Sequence, residues 1–383
     1  MNRTVLHIIT RMDAGGAATN TITCVDRLRE HGFETALAYG VTTDLAAAPV
    51  VRMQALDVEK HFLPRMVRNV APLRDLSTLR ELVRIIRQKR YDLVHTHCSK
   101  AGAVGRLAAM ICGVPAVHTP HGHIFYGYFG HLPTHLFVMV ERWLARRTKA
   151  LISLTDAETR ESLERGIGRR GQYTTVPSGV PLATFRDIDP ANGAAFRQAH
   201  GISANAIVAA SIGRLVPVKG FDVLLEGFGR ASERCPDLHL VIAGDGEQRG
   251  TLARDAAHRG LSERVHFAGH LDDVRPVLSA ADLFVLASRN EGMGRAIIEA
   301  MAAGLPVLAT RTGGIPTLIE DTRTGILVSP EDAQGLGDEL IRLVESPDLR
   351  QSMGAAGADG VYPAYDEQTM LDGLAKIYTE TLA

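Results

Sequence analysis

Two glutamates eight positions apart, Glu291 and Glu299, flank a glycine-punctuated turn, Gly292-Met293-Gly294, in the stretch NEGMGRAIIEAMAAGLPVLAT. Carboxylates this near an apolar run need partners, because an unpaired buried charge is costly. A loop acid, a turn with free amides and a helix acid form a cluster suited to gripping a hydroxyl-rich, phosphorylated ligand. A second group lies upstream in Gly213-Arg214-Leu215-Val216-Pro217-Val218-Lys219-Gly220. Here Arg214 leaves a strand end and Lys219 starts a helix. A guanidinium, an ammonium and helix N-terminal amides then converge, which is the chemistry of a diphosphate site. No GxxxxGK[ST] pattern occurs, so this is not a Walker loop. His121 supplies an imidazole able to hydrogen-bond a sugar hydroxyl or, in a purely structural role, a carbonyl.

Other candidates are weaker. Gly15-Gly16 joins a strand to a helix and offers amides to an anion or a sugar, or merely tightens a loop. It is not GxGxxG, which argues against a dinucleotide-dependent hydride transfer. Gly244-Asp245-Gly246 and Gly313-Gly314 are glycine turns at strand ends. His95 with His97, and His121 with His123, form H-x-H pairs. The alternation of a strand is expected to part the two rings, and no third ligand is evident, so no metal site is expected. Asp187-Ile188-Asp189 resembles a metal-binding DxD but follows no apolar strand and reads as chance.

The chain must position these groups with 383 residues, which makes two domains the natural expectation. Apolar residues make up 45% and charged ones 22%, so neither disorder nor a fibre fits. A formal net charge of -1 gives no overall drive toward nucleic acid. Cys24, Cys98, Cys112 and Cys235 share no CxxC spacing and read as reduced thiols. The short apolar run before Arg11 fits a first strand better than a signal peptide. The expectation is a cytoplasmic protein, with membrane association at the inner face through the basic stretch Arg65–Arg90 as the sharper reading of that stretch.

Apolar runs at Val5–Ile9, Phe33–Tyr39, Glu59–Leu63, Asp92–Thr96, Pro115–Thr119 and Ala150–Leu154 alternate with helical patterns. That is a parallel, doubly wound sheet, with ligands expected at the carboxyl ends of its strands. Val176-Pro177-Ser178-Gly179-Val180-Pro181 marks a junction. A second series follows, with strands at Ala206–Ile212, Leu238–Ala243, Val265–Phe267, Leu283–Leu286, Val307–Ala309 and Gly325–Val328. The reading is α/β, with Rossmann-like domains at 1–180 and 181–365 facing a cleft. The helix at 366–383 is expected to cross back to the first.

Taken in order, GRL…KG, GDG, EGMGRAIIEAMAAGLPVLAT and GGIP resemble the retaining GT-B glycosyltransferases of family 4. The glycine loop, VHTH, HTPHGH and PSGV extend the likeness along nearly the whole chain. HGHIFYGYFG is similar to a subgroup of bacterial surface-polysaccharide assembly. The resemblance implies an N-terminal acceptor domain, a C-terminal nucleotide-sugar domain, and a metal-independent enzyme without a cofactor. It implies a nucleotide-diphosphate sugar, expected to be a UDP-sugar, as donor and a glycan or lipid-linked acceptor. By position, Arg214 and Lys219 would bind the diphosphate, Glu299 the ribose, and Glu291 the sugar hydroxyls. Gly292, Met293 and Gly294 would present amides. His121 would approach the reacting centre, and Gly15 and Gly16 the diphosphate. Gly269 and His270 would lie by the base. The family often has an aliphatic residue or proline where Arg295 stands. Two rivals are a nucleotide-sugar 2-epimerase of the same fold and a non-catalytic sugar-binding protein.

Overall fold

The computed structural model describes residues 3–13, 15–43, 47–122 and 131–383. His123 and the aromatic run Ile124–Gly130 fall outside the described residues. The chain divides into two compact units, Met1–Gly179 with Glu367–Ala383, and Val180–Asp366.

The first unit has strands β1 (Arg3–Ile9), β2 (Phe33–Tyr39), β3 (Glu59–Phe62), β4 (Leu93–His97), β5 (Ala116–Thr119), β6 (Ala150–Ser153) and β7 (Tyr173–Thr175). Its helices are α1 (Gly16–Arg27), α2 (Ala48–Ala55), α3 (Pro72–Lys89), α4 (Ser99–Cys112), α5 (His131–Ala145) and α6 (Asp156–Glu164). The strands form one parallel sheet in the order β3-β2-β1-β4-β5-β6-β7. The second unit begins with α7 (Leu182–Arg186) and α8 (Pro190–Ala199). It continues with β8 (Ile207–Ile212), α9 (Phe221–Arg234), β9 (Leu238–Ala243), α10 (Arg249–His258), β10 (Val265–Gly269), α11 (Arg275–Ala280) and β11 (Leu283–Leu286). It ends with α12 (Arg295–Ala302), β12 (Val307–Thr310), β13 (Gly325–Val328), α13 (Ala333–Glu345) and α14 (Pro347–Val361). Its parallel sheet runs β10-β9-β8-β11-β12-β13.

Strands covered by helices on both faces have no polar alternation, and Leu283–Leu286 and Val307–Thr310 are buried at every position. The last helix, α15 (Glu367–Leu382), packs Met370, Leu371, Leu374, Ile377 and Tyr378 against Val5, Leu93, Val117 and Ile152 of the first sheet. Close approach of α4 to that sheet depends on Gly102, where a Cβ would stand 2.4 Å from the His118 ring.

Three sequence expectations shift. The α2 helix and the edge strand β7 were not anticipated, since both are short and β7 is only partly apolar. The helical spacing of the leucines in α3 predicts Leu76 on the packed face, but it lies exposed beside Leu73, while Leu82, Ile85 and Ile86 reach the core. The helix expected from Lys219 begins at Phe221, because Gly220 adopts φ 64° after a 3-10 turn at Pro217–Lys219. Asp189 has a structural task, accepting the Ala191 amide at 2.9 Å to cap α8.

The first sheet carries an unusual load of buried imidazoles: His7 on β1, His95 and His97 on β4, and His118 on β5. Burial disfavours their charged forms and lowers all four, His7 to about 3; His121, past the end of β5, is lowered to about 4. In the unfolded chain each would protonate near 6.5. Below that pH the unfolded state therefore holds more protons, so folding stability is full above about 6.5 and is lost as pH falls. Thermal melting of the full chain should fall steeply between pH 6.5 and 4.5, and His118→Asn should flatten the profile. A melting temperature flat across that window would contradict the neutral burial of these rings.

Candidate active site

In the second sheet the strand order reverses between β8 and β11, the position at which open parallel sheets place their ligand sites, outside the carboxyl ends of the strands. Gly213–Gly220 leaves β8 and Ala287–Gly294 leaves β11. The Lys219 ammonium is hydrogen-bonded to Oε1 of Glu291, and Ser288 donates its hydroxyl to the same oxygen at 2.8 Å. Two motifs 72 positions apart in sequence thus meet through one carboxylate.

The backbone around the pair is clamped. The Arg289 amide donates to the Val218 carbonyl at 2.8 Å, and its guanidinium bonds Pro217 O, both Asp222 oxygens and Glu331. These bonds raise the guanidinium's pKa and tie the Lys219 turn to the Glu291 loop. Arg289 was not singled out in sequence, because nothing in SRNEG marks it apart from a solvated arginine. Gly313 sits at φ 53°, where a Cβ would come within 1.9 Å of the Glu291 carbonyl, and the Gly314 amide donates to that carbonyl at 3.0 Å. Gly313-Gly314 therefore seats Glu291, and Gly314 spends its amide there.

Gly294, at φ 82°, opens α12, and no side chain caps that helix's N-terminus. Met293 is buried. One turn in, Glu299 accepts a hydrogen bond from Arg295 Nε at 2.9 Å, an i,i+4 pair. Arg295 thus has a definite place in the site: it offsets the charge of Glu299. Burial pushes the Glu299 carboxyl up, and Arg295 opposes that only in part. Glu291 and Glu299 serve different partners, Lys219 and Arg295 respectively.

Among the described residues Arg214 has no side-chain partner and lies exposed after β8. Gly269 accepts the Gly244 amide at 2.7 Å, placing GDG beside the end of β10, and His270 next to it lies 3.5 Å from Asp272. Arg249, not anticipated, reaches this corner over the Phe267 ring and has a buried Nη1 without a partner.

In the first sheet the order reverses between β1 and β4. Gly15 and Gly16 follow β1 and start α1, which no side chain caps. His97 ends β4. His95 and His97 share one strand face, with ring centroids 4.1 Å apart, so the expected parting of the rings is wrong: residues i and i+2 point the same way. The fold also supplies the third imidazole that sequence spacing did not show, His7 of β1. His7 Nδ1 lies 3.0 Å from His97 Nε2, and His97 Nδ1 lies 2.9 Å from His121 Nε2. His95 is held by Tyr378 OH at 2.5 Å and Thr119 Oγ1 at 2.9 Å. As a ligand set the trio is therefore largely engaged: only His7 Nε2 lacks a partner. His121 holds φ 58°, a strained conformation for a residue with a Cβ.

Two family models divide the chain: the glycosyl transferase 4-like domain matches residues 1–179, and glycosyl transferases group 1 matches 193–359. The UDP-Gal:alpha-D-GlcNAc-diphosphoundecaprenol alpha-1,3-galactosyltransferase of Escherichia coli is 31% identical over 294 residues, 75% of each chain. The chain belongs to the GT4-type GT-B glycosyltransferases. A D-inositol 3-phosphate glycosyltransferase of Saccharomonospora viridis is 32% identical over 76% of this chain and 71% of its own. Among solved structures, Anabaena HepE in complex with UDP and glucose superposes with a TM-score of 0.85 at 22% identity, covering 99% of this chain and 100% of that one. This glycosyltransferase is thus an enzyme of a family with relatives in lipid-linked sugar synthesis.

The Glu299 environment gives a test. A carboxyl whose folded pKa is raised costs stability once it ionises, so the cost appears as pH rises. Glu299→Gln should melt higher than wild type at pH 8, with the gain fading toward pH 4.5. An equal or lower melting temperature at pH 8 would show that Arg295 fully offsets the buried charge.

Proposed function

We propose that this glycosyltransferase moves a sugar from a nucleotide-diphosphate sugar, a UDP-sugar, to a hydroxyl of a lipid-linked glycan acceptor. Transfer proceeds with retention of anomeric configuration and without a metal. The observation that carries the proposal is the Lys219–Glu291 contact at the strand-order reversal, flanked by the uncapped N-termini of α9 and α12. An ammonium and helix amides suit a diphosphate; a carboxylate suits hydroxyls. The E. coli relative's donor and diphosphate-linked acceptor, as its name gives them, support the choice of substrates.

In this reading Lys219 and Arg214 neutralise the leaving diphosphate, doing what a divalent cation would otherwise do. Gly292, Met293 and Gly294 present backbone amides, and Glu291 holds hydroxyls of the sugar. Glu291 is assigned no nucleophilic role, since it is already bound to Lys219 and Ser288. Retention then follows from front-face attack assisted by the leaving phosphate oxygen. Glu299 grips the ribose, Gly269 and His270 border the base, and Gly15 and Gly16 contribute amides to the diphosphate. His121 is the imidazole that hydrogen-bonds the sugar. The basic face of α3, with Leu73 and Leu76 exposed on the same helix, supports peripheral contact with an anionic membrane.

Release of UDP from UDP-sugars in the presence of a polyprenyl-diphosphate-linked sugar measures this directly. Lys219→Ala should lower kcat/KM by about 10²-fold, since a charge contact to a developing anion is worth ~3 kcal/mol. Near-wild-type turnover by that variant would remove Lys219 from the reaction. An epimerised sugar nucleotide formed without acceptor would favour the 2-epimerase reading instead.

A further inference from the structure

The row His7–His97–His121 contains more hydrogen-bonding information than a structural core needs. Each link joins two ring nitrogens: His7 Nδ1 to His97 Nε2 at 3.0 Å, and His97 Nδ1 to His121 Nε2 at 2.9 Å. A neutral imidazole carries one proton, so each link needs one donor and one acceptor. His97 uses both nitrogens within the row, and so it must donate on one side and accept on the other. Only two arrangements satisfy both links. Either every proton points outward from His7 to His121, or every proton points inward.

The inner end of the row decides between them. His7 is fully buried, and its Nε2 has no partner. With the protons pointing inward, that nitrogen carries an N–H sealed away from any acceptor. With the protons pointing outward, it carries only a bare lone pair. Orphaned buried donors are rarer and costlier than under-used acceptors. The outward arrangement therefore prevails: His7 Nδ1–H donates to His97 Nε2, and His97 Nδ1–H donates to His121 Nε2. The remaining proton of neutral His121 must sit on Nδ1. Burial, which keeps all three rings neutral, maintains this pattern at physiological pH.

We propose that His7 and His97 are positioning residues that lock His121 in the Nδ1–H tautomer, so that His121 acts as a hydrogen-bond donor and not as a base. The row crosses the sheet at its reversal point, from β1 to the end of β4 to the turn after β5, where His121 is held at φ 58°. Near-stacked rings with centroids 5.3 and 5.2 Å apart keep the three imidazoles from rotating independently. A donor at this position strengthens its bond as a sugar or phosphate oxygen gains negative charge. This consequence for transfer rests on the proposed placement of His121 at the sugar; the tautomer itself does not.

The test is a long-range proton–nitrogen correlation spectrum of the full-length chain with nitrogen-15-labelled histidine, which separates protonated from lone-pair ring nitrogens. Wild type should show His121 protonated at Nδ1 and bare at Nε2. His7→Asp puts a carboxylate oxygen, an acceptor, where the inner donor stood, so His97 Nε2 must donate and His121 should shift to the Nε2–H tautomer. His7→Asn, whose amide can present its nitrogen where Nδ1 stood, should keep the wild-type pattern. His121 protonated at Nε2 in wild type would overturn the proposal, and that spectrum decides even if His7→Asp does not fold. An unchanged pattern in a folded His7→Asp would also overturn it. So would stoichiometric uptake of Zn²⁺ by the wild-type chain with displacement of ring protons from His7, His95 and His97. If the spectra agree but His121→Ala transfers sugar at the wild-type rate, the placement of His121 at the reacting centre fails while its tautomer stands.

Discussion

A parallel sheet delivers every strand's carboxyl end to the same edge, and the chain can fill the sheet in both directions only by reversing strand order once. That reversal is the constraint on which both units depend. At it, two neighbouring strands send their following segments to opposite faces, and the backbone between them is left open to side chains. In the second unit the reversal between β8 and β11 brings Lys219 to Glu291. In the first, the reversal between β1 and β4 brings His7 to His97 and onward to His121. Neither meeting requires strain in the strands themselves. The strain collects just past them, at Cys98 and His121, which take positive φ without being glycine.

The second unit manages its charges by pairing them locally. Lys219 with Glu291 and Arg295 with Glu299 each set a cation against a carboxylate within hydrogen-bond reach. Such pairs are weak sources of stability once desolvation is counted. Their effect is local: Lys219 and Ser288 fix the Glu291 side chain, and Arg295 partly offsets the burial that pushes the Glu299 carboxyl up. Arg214 differs, being exposed and without a side-chain partner among the described residues. Arg289 differs again, for its guanidinium binds one backbone carbonyl and two carboxylates and serves the loop geometry.

Much of this was legible in the sequence, and the reasons are specific. Apolar runs such as Leu283–Leu286 announce buried parallel strands, and Gly213, Gly244 and Gly313 mark the turns that follow them. The Arg214/Lys219 and Glu291/Glu299 sets were visible because their residue types and spacing are chemically unusual near apolar runs. What sequence could not show was partnership across the sheet. His7 stands 88 residues before His95 in sequence, and only the β1–β4 register, which pairs His7 with His95, makes them neighbours. The role of Arg295 was equally hidden, since an i,i+4 contact to Glu299 becomes meaningful only once α12 is seen to bury that carboxylate. His95 and His97 meet because strand alternation parts adjacent residues, whereas residues two apart share a face.

The central claim is that the Lys219–Glu291 meeting point is the donor diphosphate and sugar site. A crystal structure of the chain with UDP and a bound sugar tests it most directly. The account predicts diphosphate oxygens within hydrogen-bond distance of Lys219 Nζ and Arg214, ribose hydroxyls on Glu299, and a sugar hydroxyl on Glu291. A nucleotide bound elsewhere, with Lys219 and Glu291 still bonded only to protein groups, would contradict it.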